Sequence, residues 1–140
     1  MTVADLMRED VVTAGPDATV GALARQMRDE GVGSVVVAAD GRPAGIVTDR
    51  DLAVGPFADG DGPDDHTAEE VMTPDPTTVT TDTGVMELCT QLSEASVRRM
   101  PVVDDDGALA GIVTLDDLHV LLAGELESLA GVVAAESPPY

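Results

Sequence analysis

Thr48 and Asp51 stand three residues apart in the phrase GIVTDRDL (45–52), and Thr114 and Asp117 repeat that spacing in GIVTLDDL (111–118). At helical pitch, both side chains of each pair sit in the first turn of a helix. One chemistry for such a pair is a capping box, in which the hydroxyl and the acid satisfy backbone N–H groups that the helix start leaves unpaired. The other is ligand recognition. A helix N-terminus favours an anion such as phosphate, the threonine hydroxyl adds a donor, and an ionised aspartate accepts from two adjacent ribose hydroxyls. A nucleotide would then need only an apolar slot for its base.

The elements that must position these pairs also occur twice. Each phrase follows an apolar run, SVVVA (34–38) or MPVV (100–103), a turn containing Asp-Gly, and a second run, AGIV (44–47) or AGIV (110–113). Such runs read as a β-hairpin, with turns somewhat longer than the tightest type. Upstream, Val20, Leu23, Ala24 and Met27 match Val85, Leu88, Cys89 and Leu92. Both sets follow the i, i+3, i+4, i+7 spacing of a helix with one buried face, and the match makes Cys89 a small core residue. Asp17 or Thr19 is expected to cap the first helix, and Asp82 or Thr83 the second. Short helices are expected at VADLM (3–7) and AEEVM (68–72). VVTAGPDATV (11–20) aligns with TVTTDTGV (78–85) if the first copy carries two extra residues.

The unit is thus short helix, strand, helix, strand, strand, helix, used twice. Its expected limits are 1–58 for the first copy, 59–67 for an acidic Gly/Pro linker, 68–123 for the second copy, and 124–140 for a C-terminal helix extension and tail. His66 lies alone in the linker and reads as a solvated loop histidine. His119 is expected to pair with Asp116.

The twinned G-h-h-T-x-x-D-L phrases, with RRMPVVDDDGALAGIVT (98–114) in the second copy, resemble a pair of cystathionine-β-synthase (CBS) domains, a Bateman module. The resemblance covers nearly all of residues 2–123. It implies an α+β fold in which two units pack by their sheets with pseudo-twofold symmetry and bind adenosyl compounds in the clefts between them. By that resemblance Thr114 and Asp117 serve one site, and Thr48 and Asp51 the other. Val12 with Thr13, and Val79 with Thr80, border the base. Met100, Pro101 and Val102 form a base slot, matched in the first copy by Ser34, Val35 and Val36, where no proline occurs. The implied ligands are AMP, ADP, ATP or S-adenosylmethionine, with Mg2+ accompanying ATP. The implied assembly is a homodimer.

The cations differ between copies. Arg98 and Arg99 precede the second strand where the first copy has Val32 and Gly33, and Arg50 stands inside the first T-x-x-D turn where the second has Asp116. Either these arginines form a positive pocket for phosphate or they pair with surface carboxylates. On the first reading the two sites are not equivalent, with Asp116 repelling phosphate if it points inward.

The whole chain is strongly acidic: 27 Asp and Glu against 7 basic residues, all arginine, for a net charge of −20. Every segment shares the excess, which argues against a dedicated acidic docking tail. At about 1 M salt the Debye length falls to roughly 3 Å, so this surface reads as adaptation to a salt-rich cytoplasm of the halophilic archaeal kind. No basic stripe exists to displace counterions from nucleic acid. The sequence shows no signal segment and no recognisable apolar run of about 20 residues, so a soluble, cytoplasmic protein without membrane contact is expected.

No nucleophile–base arrangement, phosphate-binding glycine loop or zinc spacing is present. The expected function is therefore a non-enzymatic module that binds an adenosyl nucleotide and signals through an unknown effector protein or its own assembly. The competing expectation is a structural dimerisation module with decayed nucleotide sites, in which both T-x-x-D turns serve only as caps.

Overall fold

A computed structural model describes residues 1–136; positions 137–140 of the expected tail lie outside the described residues. The elements run α1 (Val3–Leu6), β1 (Thr13–Ala14), α2 (Val20–Glu30), β2 (Ser34–Ala39), β3 (Arg42–Thr48) and α3 (Asp49–Val54). After the linker come α4 (Ala68–Val71), β4 (Thr73–Pro74), β5 (Val79–Thr80), α5 (Val85–Ala95), β6 (Arg99–Val103), β7 (Leu109–Thr114) and α6 (Leu115–Glu136). The strands form two sheets, β1-β2-β3-β4 and β5-β6-β7. In each, a parallel pair joins the short first strand to the hairpin, which is antiparallel.

Each sheet buries one face under its helices. Val35, Val37 and Val47 meet Val20, Leu23, Met27 and Leu52 in the first core, while Met100, Val102 and Val113 meet Leu88, Leu92 and Leu118 in the second. Strand residues alternate between faces, so Val36 and Pro101, fully buried but outside both cores, point to the opposite faces, where the two sheets pack together.

The short lead helices are exchanged. Val3 of α1 is buried in the second core, and Ala68 of α4 in the first. Matching bonds hold both in place: Val3 N donates to Thr83 O at 2.8 Å, and Ala68 N to Ala18 O at 2.7 Å. Thr2 bridges to Gly84 as Thr67 bridges to Thr19. In these pairs each residue and its counterpart in the other copy are 65 positions apart, and the spacing holds without interruption through β2 and β6.

That constant spacing corrects three expectations. No two-residue gap separates the copies before the helix. Thr48 pairs with Ser34 and Thr114 with Arg99, so the counterparts of Met100, Pro101 and Val102 are Val35, Val36 and Val37. The arginines 98 and 99 therefore correspond to Gly33 and Ser34. The spacing becomes 66 from the second strand of the hairpin onward, because the second turn is one residue longer.

The first turn is also tighter than expected. Ala39 pairs with Arg42 across Asp40 and Gly41, whose φ angles of 54° and 75° are the left-handed values that a two-residue type I′ turn requires.

Thr19 caps α2, accepting from Ala22 N. Neither Asp82 nor Thr83 caps α5, whose N-cap is Gly84; both side chains instead bond to Thr80 Oγ1. Cys89 is free and partly buried against the second core. The linker is docked: Gly21 N donates to Pro63 O and Val20 N to His66 O. His66 is not merely solvated, for its ring lies between Asp61 Oδ2 at 2.7 Å and Glu70 Oε2 at 3.0 Å.

Candidate functional site

Both T-x-x-D turns form complete capping boxes. Thr48 N donates to Asp51 Oδ2 at 2.9 Å and Asp51 N returns a bond to Thr48 Oγ1 at 3.1 Å. Thr114 N donates to Asp117 Oδ2 at 3.0 Å, Asp117 N to Thr114 Oγ1 at 3.1 Å, and the Thr114 hydroxyl itself donates to Asp117 Oδ2 at 2.8 Å.

The two helix starts then diverge. Asp49, the first residue of α3, turns its Oδ1 onto Arg50 N at 2.8 Å and so places a carboxylate over that N-terminus. The corresponding residue of α6 is Leu115, which cannot do this. The longer helix also carries the fuller dipole, with 22 residues against six.

A cleft of about 280 Å³ opens beside Thr114. The second copy contributes Ile112, Thr114 and Asp116, together with Arg98 and Arg99 at the start of β6. The first copy contributes Val11 and Val12 before β1 and the turn Gly31 to Ser34 after α2. Arg8 and Asp10, which follow the exchanged helix α1, complete the wall. The backbone at Arg8 bridges to Ile112 in both directions, at 2.9 and 3.0 Å, and its guanidinium donates to Asp117 Oδ1 through Nε at 3.3 Å and Nη2 at 3.0 Å.

Three of the chain's seven cations therefore converge on one cavity in a molecule of charge −20. Arg98 lies 3.7 Å from Asp116, whose side chain is largely exposed. Arg99 makes no ion pair or side-chain hydrogen bond among the described residues. Asp10 and Asp116 share this wall, which leaves the arginines in excess by one, and Val11, Val12 and Ile112 supply an apolar surface beside it.

Comparison with known proteins identifies the architecture. The CBS domain family profile matches residues 3–54 and 68–124, one match for each copy. This chain belongs to the CBS domain family.

The CBS pair is 38% identical over 119 residues to the uncharacterized protein MK0525 of Methanopyrus kandleri, covering 84% of this chain and 61% of that protein's length. Among solved structures it resembles the CBS domain pair of MJ0100 in complex with 5′-methylthioadenosine and S-adenosyl-L-methionine. That match has a TM-score of 0.80 and 26% identity, covering 89% of this chain and 98% of the other. It also resembles the cytosolic domain of the Mg2+ channel MgtE in complex with ATP, with a TM-score of 0.74 and 28% identity, covering 86% of this chain and 48% of that one.

Of the candidate residues named from the sequence, Val12, Ser34, Arg98, Arg99 and Thr114 line the cleft, and Asp117 adjoins it through Arg8. Val35, Met100, Val102 and Val79 have their side chains in the two cores, and Val36 and Pro101 lie between the sheets. Thr13 is exposed on β1, and its carbonyl accepts from Gln26 Nε2 at 2.7 Å; Thr80 bonds Asp82 at 2.6 Å. Thr48 and Asp51 cap α3 outside this cavity, and Arg50 is exposed and does not line it.

Sequence reasoning missed Arg8, Asp10, Val11, Gly31 and Ile112. Their contribution depends on the exchange of α1 and on the pairing of Arg8 with Ile112. Uninterrupted spacing of 65 between the lead segments was the one available signal, and it sets Arg8 opposite Thr73. His119 does not pair with Asp116, which faces Arg98 instead.

Proposed function

We propose that this CBS pair is a non-catalytic regulatory module that binds an adenine nucleotide of the AMP, ADP or ATP class in the cleft beside Thr114. The observation that carries this reading is the convergence of Arg8, Arg98 and Arg99 on a cavity with an apolar wall at the start of the longest helix. The ATP and S-adenosylmethionine complexes of the similar structures support an adenosyl ligand. Thr114 and the N-terminus of α6 would face phosphate, and Asp117 the ribose. Mg2+ entering with ATP would meet Asp10 and Asp116 on the cleft wall. The site of the first copy, at Thr48 and Asp51, would be the weaker one because Asp49 opposes an anion there.

Binding energy would bias the packing of the two units, read by an effector protein or by assembly. Homodimerisation would cover α6, on which Leu122, Leu126 and Leu129 remain 46–67% exposed.

A second reading is favoured by one observation: both capping boxes are complete and Asp117 already has partners at both oxygens, as a purely structural dimerisation module would have. Calorimetric titration with AMP, ADP, ATP and S-adenosylmethionine in high-salt buffer separates the two. Saturable heat with an adenine nucleotide is expected, and silence from all four ligands would establish the structural reading.

A further inference from the structure

Asp117 has no spare oxygen. Its Oδ2 accepts from the backbone and hydroxyl of Thr114, and its Oδ1 accepts from two nitrogens of Arg8. A ribose diol needs the lone pairs that Arg8 occupies. Resting on the nucleotide reading above, we propose that Arg8 is a specificity-determining residue: it blocks Asp117 against ligands without phosphate and releases it to nucleoside polyphosphates.

The two partners differ in exposure. The Asp117 side chain is 11% exposed and fixed by the capping box, whereas that of Arg8 is 68% exposed. Solvent reaches the pair from the Arg8 side and the capping-box bonds do not involve Arg8, so the guanidinium can leave without undoing the helix cap. Its backbone stays pinned to Ile112, which keeps the released side chain on the wall it shares with Arg98 and Arg99. A ligand bearing two or more phosphates gives Arg8 a replacement partner of higher charge. Adenosine offers none and must break the pair uncompensated. The equivalent position in the other copy is Thr73, so Asp51 has no such competitor.

Titration of the full chain and of Arg8→Ala with adenosine and with ATP tests the proposal. The variant should keep its thermal midpoint. ATP affinity should fall about tenfold through the lost charged contact, while adenosine affinity rises about threefold because Asp117 is freed. Arg8→Lys should restore much of the ATP affinity. Changes of the same sign for both ligands, or a fall for ATP with adenosine unchanged, would overturn the role of Arg8 while leaving the nucleotide reading intact. If the parent protein binds neither ligand, the nucleotide reading fails and this inference falls with it.

Discussion

At the scale of single residues, the glycine of each repeated phrase is explained by a methionine from the other lead segment. A Cβ at Gly111 would lie 2.8 Å from Met7 Sδ and 2.8 Å from Arg8 O, and one at Gly45 would lie 2.7 Å from Met72 Cγ. Gly111→Ala should therefore destabilise the protein by about 1–3 kcal/mol, as overpacking does, measured by chemical denaturation. It should also shift Arg8 and weaken nucleotide binding. A fully stable Gly111→Ala protein would mean that the segment after α1 is not pressed against β7. Asp117→Ala should cost about 1 kcal/mol from the lost cap, and it should abolish binding as well. A purely structural aspartate would show only the first effect.

Among the elements, the exchange of α1 and α4 ties each core to the lead segment of the other copy, and the linker is held by the clasp of His66 with Asp61 and Glu70. Hydrogen bonds donated by the ring to Asp61 and then to Glu70 raise the His66 pKa above its ordinary value, and accepting from His66 lowers that of Glu70. The histidine's contribution is full below its ordinary pKa of 6.5 and is lost as pH rises through the raised value. The glutamate's contribution is present above its ordinary 4.5 and is lost as pH falls through the lowered one. The clasp is thus complete between those limits. Thermal unfolding should show stability declining on the alkaline side of that window, and His66→Gln should flatten the decline. An unchanged slope in the variant would show that the clasp is not formed in solution.

For the whole molecule, surface charge and helix α6 decide behaviour. With a net charge of −20, the thermal midpoint should rise as KCl goes from about 0.1 M to above 1 M, since screening relieves repulsion between carboxylates. Helix α6 buries only Leu118 and leaves Leu126 and Leu129 67% and 64% exposed. Contrary to the sequence expectation, it is long and apolar enough to cross a membrane, with a mean hydropathy of 1.5 over its best window. Glu125 and Glu127 stand at its middle, however, and a carboxylate at the centre of a span costs roughly 3 kcal/mol. In the proposed homodimer a second copy would cover the leucines, with Glu127 on the far side of the helix and Glu125 at the edge of the covered stripe. Leu126→Glu with Leu129→Glu should convert a dimer to a monomer in sedimentation experiments at high salt, and a parent protein that is already monomeric would refute the dimer.

The repeat, the helix stripes, the hairpins and the twin T-x-x-D caps were all legible in the sequence, because each rests on periodicity or on bonds between residues a few positions apart. The phase of the second hairpin was nearly legible. Continuing the uninterrupted spacing of the helices would have set Arg99 opposite Ser34, where matching the repeated phrase backwards set it one residue off. What only the tertiary structure decided was which residues meet across long separations. Arg8 and Asp117 are 109 positions apart and come together through the exchange of lead segments. That exchange is set by how two half-buried sheets pack, and no local pattern encodes it. Beside the contrast expected between Arg50 and Asp116, the structure adds two more, Arg8 against Thr73 and Asp49 against Leu115.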